Sequence, residues 1–247
     1  VPTVTKPLRQ SPLAGIFALL VVLPALSCVG QVGDPLTASI EAARRTRDAT
    51  QLESIKTQLV DRIEKSANDF ASLYQLALVE SYLADAAEIR KDKRTAVSAV
   101  DKAIDVSLHA LQINDNSADA HSLLADLYGR KISLGTPMFA GPRYGPKVDE
   151  QNKRAMALDG NNPHAWASLG RQYLMTPKTF GGDVAKAIHS FEQSLALDAS
   201  QDEAWVWLAK AFEKQGNKGK AMDALHQALE LNPQSPFAQE VSKTLKH

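Results

Sequence analysis

Residues able to do chemistry are few in this chain, and they are scattered. The one cysteine, Cys28, stands near the N-terminus, so no disulfide can close within the chain. Six histidines, His109, His121, His164, His189, His226 and His247, include no pair four apart beside an acid, the spacing a helical zinc site uses. Gly181-Gly182-Asp183 is not a phosphate loop, because no Gly-Lys-Ser/Thr accompanies it. It reads as a helix start, with glycines for a tight turn and Asp183 as N-cap or first-turn acid. There is no Gly-x-Ser-x-Gly elbow and no nucleophile with a nearby base. The expectation is a chain that is not an enzyme and carries no cofactor and no metal.

Chemistry of recognition is better represented. Met138, Phe139, Arg143, Tyr144 and Phe180 combine aromatic and basic side chains within two related stretches. The first is GTPMFAGPRYGPKVDE, Gly135 to Glu150; the second is MTPKTFGGDVAKA, Met175 to Ala187. Each holds Thr-Pro, then a phenylalanine, then glycine, then the start of a helix, with Pro146 at the first position of the earlier one. Both are expected to be insertion loops between two helices. Two readings stand. Either each phenylalanine folds back onto the stack as a local elaboration, or the two loops stand side by side and Phe139, Arg143, Tyr144 and Phe180 line one rim of a pocket.

The elements that position these stretches repeat. Four segments align without gaps: ALQINDNSADAH from Ala110, AMALDGNNPHAW from Ala155, SLALDASQDEAW from Ser194 and ALELNPQSPFAQ from Ala228. Each is a helix end, a polar turn and the next helix start. In the clearest unit, counted from Asp202, Trp205, Leu208, Ala209 and Phe212 take positions 4, 7, 8 and 11. Ala221, Leu225, Ala228 and Pro233 take positions 20, 24, 27 and 32. Small residues at 8, 20 and 27 let two antiparallel helices approach; large ones at 4, 7, 11 and 24 fill the space between. The unit before it puts Trp166, Leu169, Gly170 and Tyr173 at positions 4 to 11, then Ala187 and Phe191 after five extra residues. The one before that has His121, Leu124, Ala125 and Tyr128, then Ala155 after eleven. No strand signal is present.

This pattern resembles the tetratricopeptide repeat. The resemblance implies an all-α fold, a right-handed superhelical stack of antiparallel helix pairs (a TPR-like α-solenoid) with two inter-helix insertion loops. Its units are expected at 69–114, 118–160, 163–199 and 202–235, with N-terminal helices over 34–68 and a capping helix over 236–246. Leu52, Ile55, Leu59 and Ile63 form an apolar helical stripe upstream.

The family also implies a concave groove lined by positions 2, 5, 9 and 12 of the first helix of each pair. That gives Asp119, Ser122 and Asp126, then His164, Ala167 and Arg171, then Glu203, Val206 and Lys210. Asp126, Arg171, Lys210 and Trp207 are the candidate partner-binding residues, Arg171 and Lys210 as holders of an acidic peptide tail. The carboxylate-clamp subclass wants asparagine at position 6, where Leu123, Ser168 and Trp207 stand instead. The expected function is an exported scaffold for protein–protein interaction, with a protein or peptide partner. A second resemblance, carried by Gly-Gly-Asp inside such an array, is to the T-component of TRAP transporter systems. It implies a small-ligand carrier with its ligand under the insertion loops.

Composition and the N-terminus bound the rest. Lys plus Arg equal Asp plus Glu at 28 each, so no electrostatic footprint for nucleic acid exists. Apolar residues are 44% and aromatics only 6%, a balance that suits close helix packing. Residues 1–30 read as a signal peptide: Lys6 and Arg9, an uncharged run from Leu13 to Leu26, then small residues. The run is short for a membrane span, though a single N-terminal anchor helix is the competing reading. Ala25-Leu26-Ser27-Cys28 resembles a lipoprotein box, making Cys28 a lipidation candidate; ordinary cleavage near Ser27 or Gly30 is the alternative. The localisation expected is extracytoplasmic, in the periplasm, with or without a lipid anchor.

Overall fold

The computed structural model describes residues 1–3 and 34–245; the signal-peptide and lipidation expectations fall on residues outside these. Among the described residues there are eleven α-helices and no strand. They are α1 Pro35–Thr46, α2 Ala49–Lys65, α3 Phe70–Ile89, α4 Lys93–Ile113, α5 Ala118–Leu134, α6 Pro137–Leu158, α7 Pro163–Met175, α8 Val184–Leu197, α9 Asp202–Gln215, α10 Lys218–Leu231 and α11 Pro236–Leu245. None is long and apolar enough to cross a membrane.

The polar turns start the helices as their chemistry dictates. Asp48, Asp69, Asp92, Ser117, Asn162, Asp183 and Asn217 each turn a side-chain oxygen onto an orphan N–H of the first turn. Consecutive helices then pair: α3 with α4, α5 with α6, α7 with α8 and α9 with α10, each pair packing on the next. Within each pair the first helix is helix A and the second helix B.

Pair interiors show why the small positions are small. A Cβ on Gly170 would sit 2.7 Å from the ring of Phe191, the largest fully buried side chain. In the next pair Ala209 and Leu225, both buried, take the same two places, so a larger small residue meets a smaller large one. Position 4 has a job besides packing. Trp166 Nε1 donates to the Gly160 carbonyl at 2.8 Å, and Trp205 Nε1 donates to that of Ala199 at 3.0 Å. His121 Nε2 lies 3.0 Å from the Asp115 carbonyl in the same relation. Each ring thereby ties helix A to the turn six residues before it.

The two expansions differ, which corrects the expectation of two insertion loops. In the pair α5/α6 there is no loop beyond a two-residue turn. Helix α5 has 17 residues and α6 has 22, against 14 each for α9 and α10. The eleven extra residues therefore lengthen both helices, and α6 starts at Pro137, not at Pro146. Pro142 and Pro146 lie inside α6 on its exposed side, where water can take the carbonyls they leave free. Burial of Ala140 and Val148 and the stacking of Tyr144 on Tyr128, ring centroids 5.8 Å apart, hold the segment helical. The second expansion is a loop. It runs through a 3-10 turn, Lys178–Phe180, to Gly182, whose Cβ would meet the Thr176 carbonyl oxygen at 1.8 Å, so only glycine fits. Asp183 is the N-cap of α8, accepting from Ala185 and Lys186 N–H at 2.9 and 3.1 Å.

Candidate partner-binding surfaces

Stacked pairs bring the A helices α3, α5, α7 and α9 together on the concave side of the array. Charged side chains from all four meet there. Arg130 of α5 contacts Asp85 of α3 at 2.6 Å and also binds Glu88. Arg171 of α7 holds Asp126 of α5 with two guanidinium nitrogens, Nε at 2.9 Å, and Ser168 Oγ donates to the same carboxylate at 2.8 Å.

The remaining partners come from α1 and the residue that caps it, Arg47. Arg44 reaches Asp202 at 2.8 Å and Glu203 at 2.9 Å, both on the first turn of α9. Arg47 reaches Asp85 at 2.9 Å and Glu203, and its guanidinium lies 5.0 Å from the ring centre of Tyr82. Arg45 donates to the Leu231 carbonyl at the end of α10, and Asn232 donates back to the Arg45 carbonyl at 3.0 Å and to Asp202 at 2.7 Å. Helix α1 also buries Leu36, Ile40 and Ala43. The first helix of the described stack is thus tied to its last pair, across the concave wall.

The electrostatics follow from these pairings. Burial by itself would raise the carboxyl of Glu203, yet Arg47 and Arg44 outweigh it and hold the pKa at about 2. Burial works against the charge on Arg44, while Glu41, Glu203 and Asp202 more than restore it. Arg171 likewise is raised against its own burial by Asp126 and, from further off, by Glu203 and Asp85. Arg47 occupies the left-handed region, φ 55°, at the C-terminal end of α1. Glycine is the usual residue there, and a side chain in that conformation costs about 1 kcal/mol. The arginine is kept where its backbone is strained, and its side chain is only 9% exposed.

The candidate groove residues are therefore divided. Asp126 and Arg171 pair with each other. Lys210 and Trp207 lie elsewhere: Trp207 packs on Phe237 of α11, ring centroids 5.1 Å apart, with Lys210 Nζ 4.9 Å from the Trp207 ring centre. Burial lowers the pKa of Lys210 against the pull of Glu240 and Glu213. Arg171 and Lys210 do not converge on one point, and the position 5 residues Ser122, Ala167 and Val206 are buried. Sequence reasoning missed Arg44, Arg45, Arg47 and Asp85; the cluster of three arginines at the end of one short helix and just past it was the available signal.

The insertion residues are divided too. Phe139, Arg143 and Tyr144 line a solvent-open cleft of about 300 Å³ with Val97, Lys131 and Leu134. Phe180 is not part of that lining; it stands 80% exposed on the α7–α8 connection. Met138 and Phe139 (75% exposed) and Met175 complete a set of large apolar side chains open to solvent at the A–B connections of two consecutive pairs. Among the described residues no group of three metal-ligating side chains occurs.

Comparison with known proteins agrees with this architecture. The family model for the tetratricopeptide repeat matches residues 180–236. A thermophilic tetratricopeptide-repeat protein of Thermus thermophilus superposes with a TM-score of 0.64 at 16% identity, over 86% of this chain and 100% of that one. YrrB, described as a tetratricopeptide-repeat protein with an unusual peptide-binding site, gives 0.39 at 18% identity, over 85% and 98%. No curated protein sequence matches the chain. Residues 180–236 thus match the tetratricopeptide-repeat model, and the stacked helix pairs of the described residues share the fold of such arrays.

Proposed function

We propose that this chain is a non-catalytic scaffold that works outside the cytoplasm and holds a protein partner against its helix-pair array. The carrying observation is the set Met138, Phe139, Met175 and Phe180, exposed at the A–B connections of neighbouring pairs. In a stack of parallel pairs those connections fall along one edge, and large apolar side chains grouped on a surface mark an interaction site. The cleft beside Phe139 adds Arg143, so the partner surface is apolar with an acidic group beside it.

Support for the location comes from residues 1–30, whose basic, apolar and small segments follow the order of an export signal. Cys28 is the lipid acceptor or lies beside an ordinary cleavage point. Mass determination of the mature chain decides between them, and an intact residue 1–30 segment in the mature protein would refute export by a cleaved signal.

The scaffold reading is tested by crosslinking in intact cells followed by capture of the tagged chain. A discrete partner should be recovered with the native chain and lost with Phe139→Ser combined with Phe180→Ser. Recovery of the same partner with both chains would refute a role for this edge.

A further inference from the structure

The edge formed by the A–B connections differs from the opposite edge in charge as well as in exposed apolar side chains, and folding does not account for the charge. We infer that the partner held along this edge is an acidic, extended protein segment with aromatic or aliphatic anchors, lying across the connections of three consecutive pairs. The inference rests on the scaffold reading and names the chemistry of its partner.

The cations belong to the same connections as the apolar side chains. The connection between α3 and α4 carries Arg90, Lys91, Lys93 and Arg94 beside Ile89, all exposed. The next adds Arg143 near Phe139, and the third adds Lys178 and Lys186 around Phe180. The ion pairs of this edge, Arg130 with Glu88 and Lys131 with Asp101, use other cations. The turns between pairs, on the opposite edge, are acidic. Asp115, Asp159 and Asp198 stand in the turns after α4, α6 and α8, and no Lys or Arg shares those turns. The chain as a whole is neutral, so this polarity is a matter of placement.

Several of these cations are placed against the interest of the fold. Lys91 has φ 61°, and Gly216 takes the matching place in the last pair with φ 87°. The two turns close alike. The N–H of Lys91 binds the Glu88 carbonyl and that of Asp92 binds Ala87, as Gly216 binds Glu213 and Asn217 binds Phe212. Glycine adopts that conformation freely and lysine does not. Lys93 and Arg94 occupy the first turn of α4, and Lys186 that of α8, where a cation opposes the helix dipole. Helices α5 and α9, whose first turns lie at the other edge, begin with Asp119 and with Asp202 and Glu203, as the dipole favours. Stability alone would choose glycine at 91 and acids at 93, 94 and 186. Cations kept at that cost answer negative charge from outside the chain. The cleft lined by Phe139 and Arg143 has the size for a side chain of a peptide, not for a fluid surface. With helices packed about 10 Å apart and an extended chain rising about 3.3 Å per residue, roughly ten residues cross all three connections.

The test uses the full chain and a labelled synthetic peptide, Glu-Glu-Phe-Glu-Gly-Glu-Phe-Glu-Glu, with binding read by fluorescence anisotropy. Lys91→Gly, Lys93→Glu and Arg94→Glu combined should lower its affinity about ten-fold or more, while the thermal midpoint holds or rises. Those opposite directions separate a partner contact from a structural one. Lys65→Glu with Lys153→Glu, at the ends of α2 and α6, should leave the affinity within about two-fold of native. Raising salt from about 0.1 M to about 1 M cuts the Debye length from about 10 Å to about 3 Å and should weaken native binding about ten-fold or more. Equal affinity for the native and triply substituted chains, or an equal loss in the Lys65/Lys153 chain, would overturn the proposal. So would native binding to phosphatidylglycerol vesicles without binding of the peptide, which would assign the edge to lipid. Failure here is separable from failure of the scaffold reading. A partner captured from cells equally by the native and triply substituted chains would sink the acidic segment alone. Peptide binding as expected with no partner captured would sink the scaffold alone.

Discussion

The charged wall that α1 joins and the edge at the A–B connections carry opposite chemistry. The wall gathers four arginines and their carboxylates from α1, α3, α5, α7 and α9, each charge answered by another of the same chain. The edge carries Met138, Phe139, Met175 and Phe180, mostly open to water. Residues already partnered at home hold the fold; residues left unpartnered are the ones free to hold something else. Charged groups lining a concave wall look like ligand contacts in a sequence, yet here their first duty is to bind one another.

The comparison breaks most sharply at Glu203, where Arg44 and Arg47 converge. Glu203→Ala leaves both guanidinium groups half-answered and should cost about 3 kcal/mol in urea unfolding. A loss under about 0.5 kcal/mol would place the wall among ordinary surface ion pairs. Next in size is Gly182→Ala on the edge, where the new Cβ would overlap the Thr176 carbonyl and the loop must shift. Destabilisation of about 2 kcal/mol is expected, and a neutral result would show that the loop is as adaptable as its exposed side chains.

Acid sharpens the same contrast. The Glu203 carboxyl titrates at about 2 in the folded chain against an ordinary 4.5. Its ionised form therefore contributes stability that is complete above the higher value and is lost as pH falls from there toward the lower one. Other carboxylates titrate in the same window, so the thermal midpoint of the native chain is read against that of Glu203→Gln. The drop between pH 5 and pH 2 should be smaller in the variant, and equal drops would remove Glu203 from the account. The smallest expected effect is on the edge. Phe139→Ser with Phe180→Ser should change stability by no more than about 0.5 kcal/mol, since neither ring is buried. A loss of about 2 kcal/mol would make the edge structural.

How much of this was legible follows from the range of each interaction. The helix pairs could be read because Gly170, Ala209 and their partners Phe191 and Leu225 recur at one spacing. Capping by Asp183 could be read because it is settled within three residues. The extension of α6 could not. Pro142, Pro146 and the glycines around them signal a loop locally, and contacts with α5 such as Tyr144 on Tyr128 override that signal. The role of α1 was hidden for a plainer reason: Arg44 and Glu203 are 159 residues apart, and no local pattern encodes such a pairing. The candidate site was legible as residue types, not as groupings, since Lys210 and Trp207 turn to α11 while Arg171 turns to Asp126.

The tie between α1 and α9 has a consequence for how the molecule comes apart. A repeat array with loose ends behaves as a one-dimensional chain of neighbours, able to fray from a terminus and melt unit by unit. Joining the first helix to the last pair turns that line into a loop. Peeling α9 and α10 away then also strips α1 of its anchors, so a terminal loss is felt at the opposite terminus. Such closure trades gradual melting for a single cooperative transition. The added long-range contacts raise contact order, and with it the time the chain needs to fold.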